Sequence, residues 1–211
     1  MKKISALALA LCLMFSLAAC EPTTPVEYAP EVPALLTQEN TECLTGLHHV
    51  EIEIEDYGTI SCELDADAAP VTVTNFINLI KDGFYDGLCF HRIIPGFMIQ
   101  GGSQKGDGTG GTRSKVTGEF SANGFDNPIQ HTRGVISMAR GTDYNSGSCQ
   151  FFIVHADYPS LDGNYAAFGR VTEGMDVVDE ICRRSENWQK DNNGVVAKAN
   201  RPKIKEIRYI D

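Results

Sequence analysis

The chain has 211 residues, 42% of them hydrophobic, which is enough for one well-buried core of ordinary domain size with some sequence left over. Its formal net charge of -10, with acidic residues spread along the whole length, tells against nucleic acid and anionic lipid headgroups as partners, because a negative surface repels both.

Lys2 and Lys3 precede an uncharged stretch from Ile4 to Ala19, the pattern of a secretory signal peptide over residues 1–19 and too short to read as a spanning helix. The run Leu17-Ala18-Ala19-Cys20 is similar to the lipobox of bacterial lipoproteins. That resemblance implies cleavage before Cys20, a lipid on its sulfur, and an exported protein anchored to a membrane and facing the outside or a periplasm. Small residues before the cut also fit an ordinary signal peptide, with Cys20 an ordinary cysteine. Two or three acyl chains, at about 0.8 kcal/mol per buried methylene, hold a protein stably on a membrane. From Glu21 to Leu47 the sequence carries Pro22, Pro25, Pro30 and Pro33 without sustained periodicity, so residues 20–47 read as an anchored cysteine and an extended tether.

The domain is expected over 48–211. Val50, Ile52 and Ile54 alternate with Glu51, Glu53 and Glu55, and after Tyr57-Gly58 the alternation resumes at Ile60, Cys62 and Leu64, which predicts a hairpin of half-buried strands. Pro70 opens a helix whose apolar stripe is Val73, Phe76, Ile77 and Ile80, with Gly83 as its stop. Short apolar runs follow at Leu88–Ile94, Phe97–Ile99, Gly134–Met138, Phe151–Val154 and Ala167–Val171, then a helical pattern over Met175–Cys182 and an alternating strand from Ile204 to Tyr209. Many short strands with glycine-rich connections suggest a closed antiparallel barrel or a sandwich. Outside Cys12 and Cys20, five cysteines remain without CxxC or metal-ligand spacing, and most adjoin apolar residues. They read as small buried hydrophobes rather than a disulfide framework.

Three patterns are set aside on their chemistry. Gly106-Asp107-Gly108-Thr109-Gly110-Gly111 matches G-x-G-x-x-G, but polar Thr112-Arg113-Ser114-Lys115 follows where a dinucleotide fold needs an apolar helix, so it reads as a flexible surface loop. His48, His49 and Glu51 could ligate a metal, yet alternation puts His48 on the opposite side of the strand from the other two. Cys149 with His155 lacks an acidic orienting residue and an oxyanion loop.

The run Phe90-His91-Arg92-Ile93-Ile94-Pro95-Gly96-Phe97-Met98-Ile99-Gln100-Gly101-Gly102 places an arginine and a glutamine among aliphatic and aromatic residues, an odd composition for pure core. It resembles the signature of the cyclophilin family. The resemblance extends from about His49 to Asp211 through Gly134–Ala139, Gly147–Ile153 and Leu161–Val171. It implies a closed eight-stranded antiparallel barrel capped by two helices, acting as a peptidyl-prolyl cis-trans isomerase on proline-containing polypeptides, as a monomer and without cofactor or metal. Carried over by residue, it makes Arg92 the catalytic arginine and Gln100 a peptide-contacting partner. The proline pocket falls on Phe97, Met98, Phe152 and Leu161, and further substrate contacts on Ala139, Arg140, Gln150 and Tyr165. Arg140 stands where many members have asparagine, Ser160 where eukaryotic members have a tryptophan that holds cyclosporin, and Tyr165 where the pocket has a histidine. The same pocket without catalysis would make a proline-peptide binding module or a holdase.

Overall fold

The structure, a computed structural model, describes residues 35–211; the leader, Cys20 and the tether as far as residue 34 lie outside the described residues. In chain order the elements are β1 (Leu35–Leu36), β2 (Leu47–Ile54), β3 (Gly58–Asp65), α1 (Pro70–Lys81), β4 (Phe90–Ile94), β5 (Met98–Gly101), β6 (Lys115–Val116), β7 (Val135–Met138), β8 (Phe151–Val154), β9 (Ala167–Glu173), α2 (Met175–Ser185) and β10 (Ile204–Tyr209). Eight strands pair antiparallel in the order β10-β2-β3-β9-β7-β8-β5-β4, a strongly curled half-barrel with two helices.

The expected closure is not seen as a strand ladder. Cys89 and Lys203, just ahead of β4 and β10, form a single bridge, flanked by Phe90 N–H to Pro202 O at 2.9 Å and Ile204 N–H to Leu88 O at 2.8 Å. Farther along β4 the free edge is taken by the segment 194–196: Ile93 N–H donates to Gly194 O at 3.0 Å and Val196 N–H to His91 O at 2.8 Å. An edge already paired with a loop has no donors left for another strand.

The tether was expected to continue to Leu47, but its end is packed. β1 pairs parallel with β6, Leu44 N–H donates to Thr74 Oγ1 at 2.9 Å, and Cys43 and Leu44 lie against the main core. The proline run stops at Pro33, and the apolar residues after it gain more from burial than they lose in chain entropy.

Periodicity was a sound guide to the elements. Glu51 and Glu53, on the outer face of β2, pair with Arg208 and Lys205 of β10 at 2.8 Å each, while Ile52 and Ile54 are buried. Pro70 occupies the first turn of α1, and Val73, Phe76, Ile77 and Ile80 are buried. Ala69 offers α1 no side-chain cap, and a distant carboxylate takes that role: fully buried Glu119 accepts from Val71 N–H at 2.9 Å and Thr72 N–H at 2.8 Å. Burial pushes the Glu119 carboxyl above its ordinary value, against the pull of these donors. The five cysteines are free thiols, and burial drives Cys62 and Cys182 up to about 12, where they stay protonated and inert.

Register decides which face carries the chemistry. Ile93, Ile99, Ile153 and Ile136 form one cross-strand row, fully buried in the main core. The adjacent row, Arg92, Gln100, Phe152 and Ser137, therefore points to the other face. That face carries a second, separate apolar cluster.

Candidate active site

The second cluster consists of Met98, Val135, Phe152, Val154, Leu161 and Ala167, with Ile94, Phe97, Ile129, Ala139 and Tyr165 packed on it. Phe97, Met98, Phe152, Leu161, Ala139 and Tyr165, all expected at the site, are thus brought together from the β4–β5 turn, β5, β8 and the loops after β7 and β8. Tyr165 meets Phe152 edge-on, with centroids 5.8 Å apart and an interplanar angle of 84°. The sequence reading missed Tyr158, whose ring lies 4.3 Å from that of Phe97.

Arg92 stands at the border of this cluster. Its guanidinium carbon is 5.6 Å from the Phe97 ring centre, and Nη1 is 3.7 Å from the Met98 sulfur. Nε donates to Asn193 O at 2.7 Å and Nη1 to Gln100 Oε1 at 3.4 Å. No hydrogen bond joins Nη2 to the described residues. Half-burial draws the group below its ordinary value, with Tyr165 and Asp191 acting in the opposite sense, and an arginine so placed keeps its charge.

A polar relay runs from Arg92 along one side of the cluster. Gln100 Nε2 donates to Gln150 Oε1 at 3.0 Å, and Gln150 Nε2 donates to Gly108 O at 3.0 Å and Gly110 O at 3.1 Å. The glycine-rich segment 106–111, read from sequence as a flexible surface loop, is in fact the anchor of this relay. Its carbonyls are reachable because glycines at 106, 108 and 110 adopt φ of 68°, 88° and 82°. A groove of about 370 Å³ continues from Gln100 and Gln150 past Ala139 and Arg140 to Lys115.

Arg140, expected as a substrate contact, has its side chain engaged within the fold. The guanidinium lies 5.2, 4.9 and 4.7 Å from the ring centres of Phe120, Tyr144 and Tyr165, and Nε donates to Asn164 O at 2.9 Å. It ties the loop after β7 to the loop that carries Tyr165. Ser160 is exposed in a short 3-10 turn, Pro159–Leu161.

The two other patterns set aside above, Cys149 with His155 and the His48, His49 and Glu51 group, stay apart from this site. Cys149 is fully buried with its sulfur 3.2 Å from Gly102 O, whereas His155 accepts from Gly96 N–H at 2.8 Å and faces Asp179 at 3.2 Å. His48 bonds the Tyr209 hydroxyl at 2.9 Å and His49 the Asp211 carboxylate at 3.0 Å. Among the described residues no group of three or more His, Cys, Asp or Glu is placed to hold a metal ion.

A family profile described as cyclophilin type peptidyl-prolyl cis-trans isomerase/CLD matches residues 49–207. The chain belongs to the cyclophilin family. Among its curated relatives, peptidyl-prolyl cis-trans isomerase B of Bacillus subtilis is 47% identical over 123 residues, covering 58% of this cyclophilin and 82% of the relative. A peptidyl-prolyl cis-trans isomerase of Helicobacter pylori is 46% identical over 127 residues, or 59% of this chain and 74% of its own. Among solved structures, a cyclophilin type peptidyl-prolyl cis-trans isomerase of Cryptosporidium parvum aligns with a TM-score of 0.67 at 28% identity, covering 78% of this chain and 98% of that one. The structure of that protein in the presence of the dipeptide Ala-Pro aligns with a TM-score of 0.66. This cyclophilin is a peptidyl-prolyl cis-trans isomerase.

Proposed function

We propose that this isomerase acts on Xaa-Pro bonds of exported polypeptides and assists their folding from a membrane anchor at Cys20, with Arg92 as its catalytic residue. An Xaa-Pro bond turns over a barrier of about 18–20 kcal/mol because its C–N bond has partial double-bond character. No covalent bond need break. In the twisted amide resonance is lost and the prolyl nitrogen gains a lone pair that can accept a hydrogen bond.

The observation that supports this reading best is the guanidinium of Arg92 at the edge of an apolar cluster, held by Asn193 and Gln100 and with no hydrogen bond from Nη2 to the described residues. Phe97, Met98, Phe152 and Leu161 grip the proline ring and exclude water. Arg92 then donates to the prolyl nitrogen only when it is pyramidal, the differential binding that speeds a reaction. Gln100 orients Arg92 and, with Gln150, Ala139 and the Arg140 backbone, holds the peptide. A rate gain of about 10³ to 10⁵ requires roughly 4 to 7 kcal/mol, which one charged hydrogen bond plus desolvation and orientation can supply. Outside the cytoplasm slow prolyl steps limit the folding of newly exported chains, at tens of seconds each.

Exchange NMR on an Ala-Pro peptide tests the catalytic part. Catalysed cis-trans exchange well above the spontaneous rate is expected, whereas binding without exchange would make the protein a recognition module. Metabolic labelling with a palmitate analogue tests the anchor: label in the wild type and none in Cys20→Ala is expected, and equal labelling of both would rule it out.

A further inference from the structure

His131 is buried, 1% exposed, between two groups that the sequence reading did not connect. Asp162 Oδ1 accepts both its backbone N–H at 2.7 Å and its ring Nδ1 at 2.9 Å. On the other side Nε2 lies 3.0 Å from Ser137 Oγ. A carboxylate only accepts, so Nδ1 carries the proton, and in the neutral ring Nε2 accepts the Ser137 hydroxyl proton. Burial holds the imidazole below its ordinary value, against the pull of Asp162, which favours that neutral form. The order Ser–His–Asp is that of a hydrolase triad, but Ser137 is fully buried and its oxygen has no access to a substrate.

The placement of the two ends is informative. Ser137 pairs in register with Phe152, and the imidazole lies nearly parallel to the Phe152 ring, 18° between planes and 6.1 Å between centroids. Asp162 directly follows Leu161 and leads into the loop that carries Tyr165, and Tyr158 N–H donates to His131 O at 2.9 Å. We propose that His131 is a positioning residue for the proline pocket: it fastens the segment carrying Tyr158, Leu161 and Tyr165 to the sheet row carrying Phe152, and so sets the width of the pocket. A wall held at both ends keeps its shape before the proline arrives, and preorganisation of this kind acts on binding. The inference rests on the reading of Phe97, Met98, Phe152 and Leu161 as the proline pocket.

The test is a KM-against-kcat split by line-shape NMR on an Ala-Pro peptide, using the purified full chain and its variants His131→Leu, Ser137→Ala, Asp162→Ala and the pair His131→Leu/Asp162→Ala; alanine at 162 removes the acceptor that asparagine would keep. KM is expected to rise about tenfold in His131→Leu with kcat within twofold. Ser137→Ala and Asp162→Ala should move KM the same way, and the pair should be no worse than His131→Leu alone, because one fastening is broken once. Unchanged KM in folded variants, additive effects in the pair, or a loss residing in kcat overturns the inference. Should His131→Leu fail to fold, KM in Ser137→Ala and Asp162→Ala decides by the same criterion. Phe152→Ala separates the two readings: unchanged KM there sinks the pocket itself, while raised KM there with unchanged KM in the His131, Ser137 and Asp162 variants sinks only the role of His131.

Discussion

Arg92→Ala isolates the hydrogen bond on which the proposed mechanism depends. The side chain is half-buried at the border of the second cluster, so its removal opens solvent-connected space rather than a closed cavity, and the fold should survive. What is lost, on the proposed mechanism, is a charged donor that reaches its acceptor only in the twisted state. Removing one such donor from a preorganised site costs about 2.7–4 kcal/mol, so kcat/KM should fall about 10²- to 10³-fold. Arg92→Lys keeps the charge but not the fork, and a single ammonium cannot hold Asn193 O and Gln100 while presenting a donor to the prolyl nitrogen. An intermediate loss of roughly tenfold or more is expected there. The assay is catalysed exchange of an Ala-Pro peptide by NMR at saturating and sub-saturating peptide, with thermal melting as the check on folding. Arg92→Ala within threefold of the wild-type rate, at an unchanged melting temperature, would refute the assignment.

Other consequences follow from single positions. Gly194 has φ +83°, and a Cβ built there would lie 2.6 Å from Ile94 Cγ1; Gly194→Ala should cost about 1–3 kcal/mol in a urea melt and lower kcat by displacing Asn193 O from Arg92. His91 is buried with Nδ1 lacking a hydrogen-bond partner among the described residues, and burial lowers it from 6.5 to about 4. The folded state thus binds this proton less readily than the unfolded chain. The contribution is fully present above pH 6.5 and is lost as pH falls toward 4, by up to about 3 kcal/mol; urea melts at pH 7 and pH 4 should differ less in His91→Phe, and an identical difference in both proteins would contradict this. Arg140→Ala removes three cation–π contacts worth about 0.5–1 kcal/mol each at exposed sites, so the melting temperature should drop by a few degrees and KM rise severalfold; an unchanged KM would show that the rim does not depend on the cage.

Strand and helix periodicity was legible because each element buries one face, as Ile52 and Ile54 against Glu51 and Glu53 illustrate in β2. Of the site residues expected from resemblance, Arg92, Met98, Gln100 and Phe152 share one face because alternation and register put them there, and turns and loops bring Phe97, Ala139, Leu161 and Tyr165 to it. Three features escaped. The chain from Leu35 to Leu47 was read as tether because its neighbours are prolines, and nothing local announces that β1 will find β6. Asn192-Asn193-Gly194 is a turn signal, but not one that says the turn will lie along β4. The glycine loop was read as loose because its anchor, Gln150, lies some forty residues downstream.

Local sequence alone determined the alternation of β2 and β3, the apolar stripe and first-turn proline of α1, and the mixed composition of the run from Phe90 to Gly102, because these depend on residues a few positions apart. Only the tertiary structure decided that β4 is edged by the segment 194–196, that Asn193 holds Arg92, that Arg140 is caged by three rings, and that His131 joins Ser137 to Asp162. Each of those contacts links segments brought together by folding, and their pairing is set by register and loop path, which no short stretch of sequence encodes.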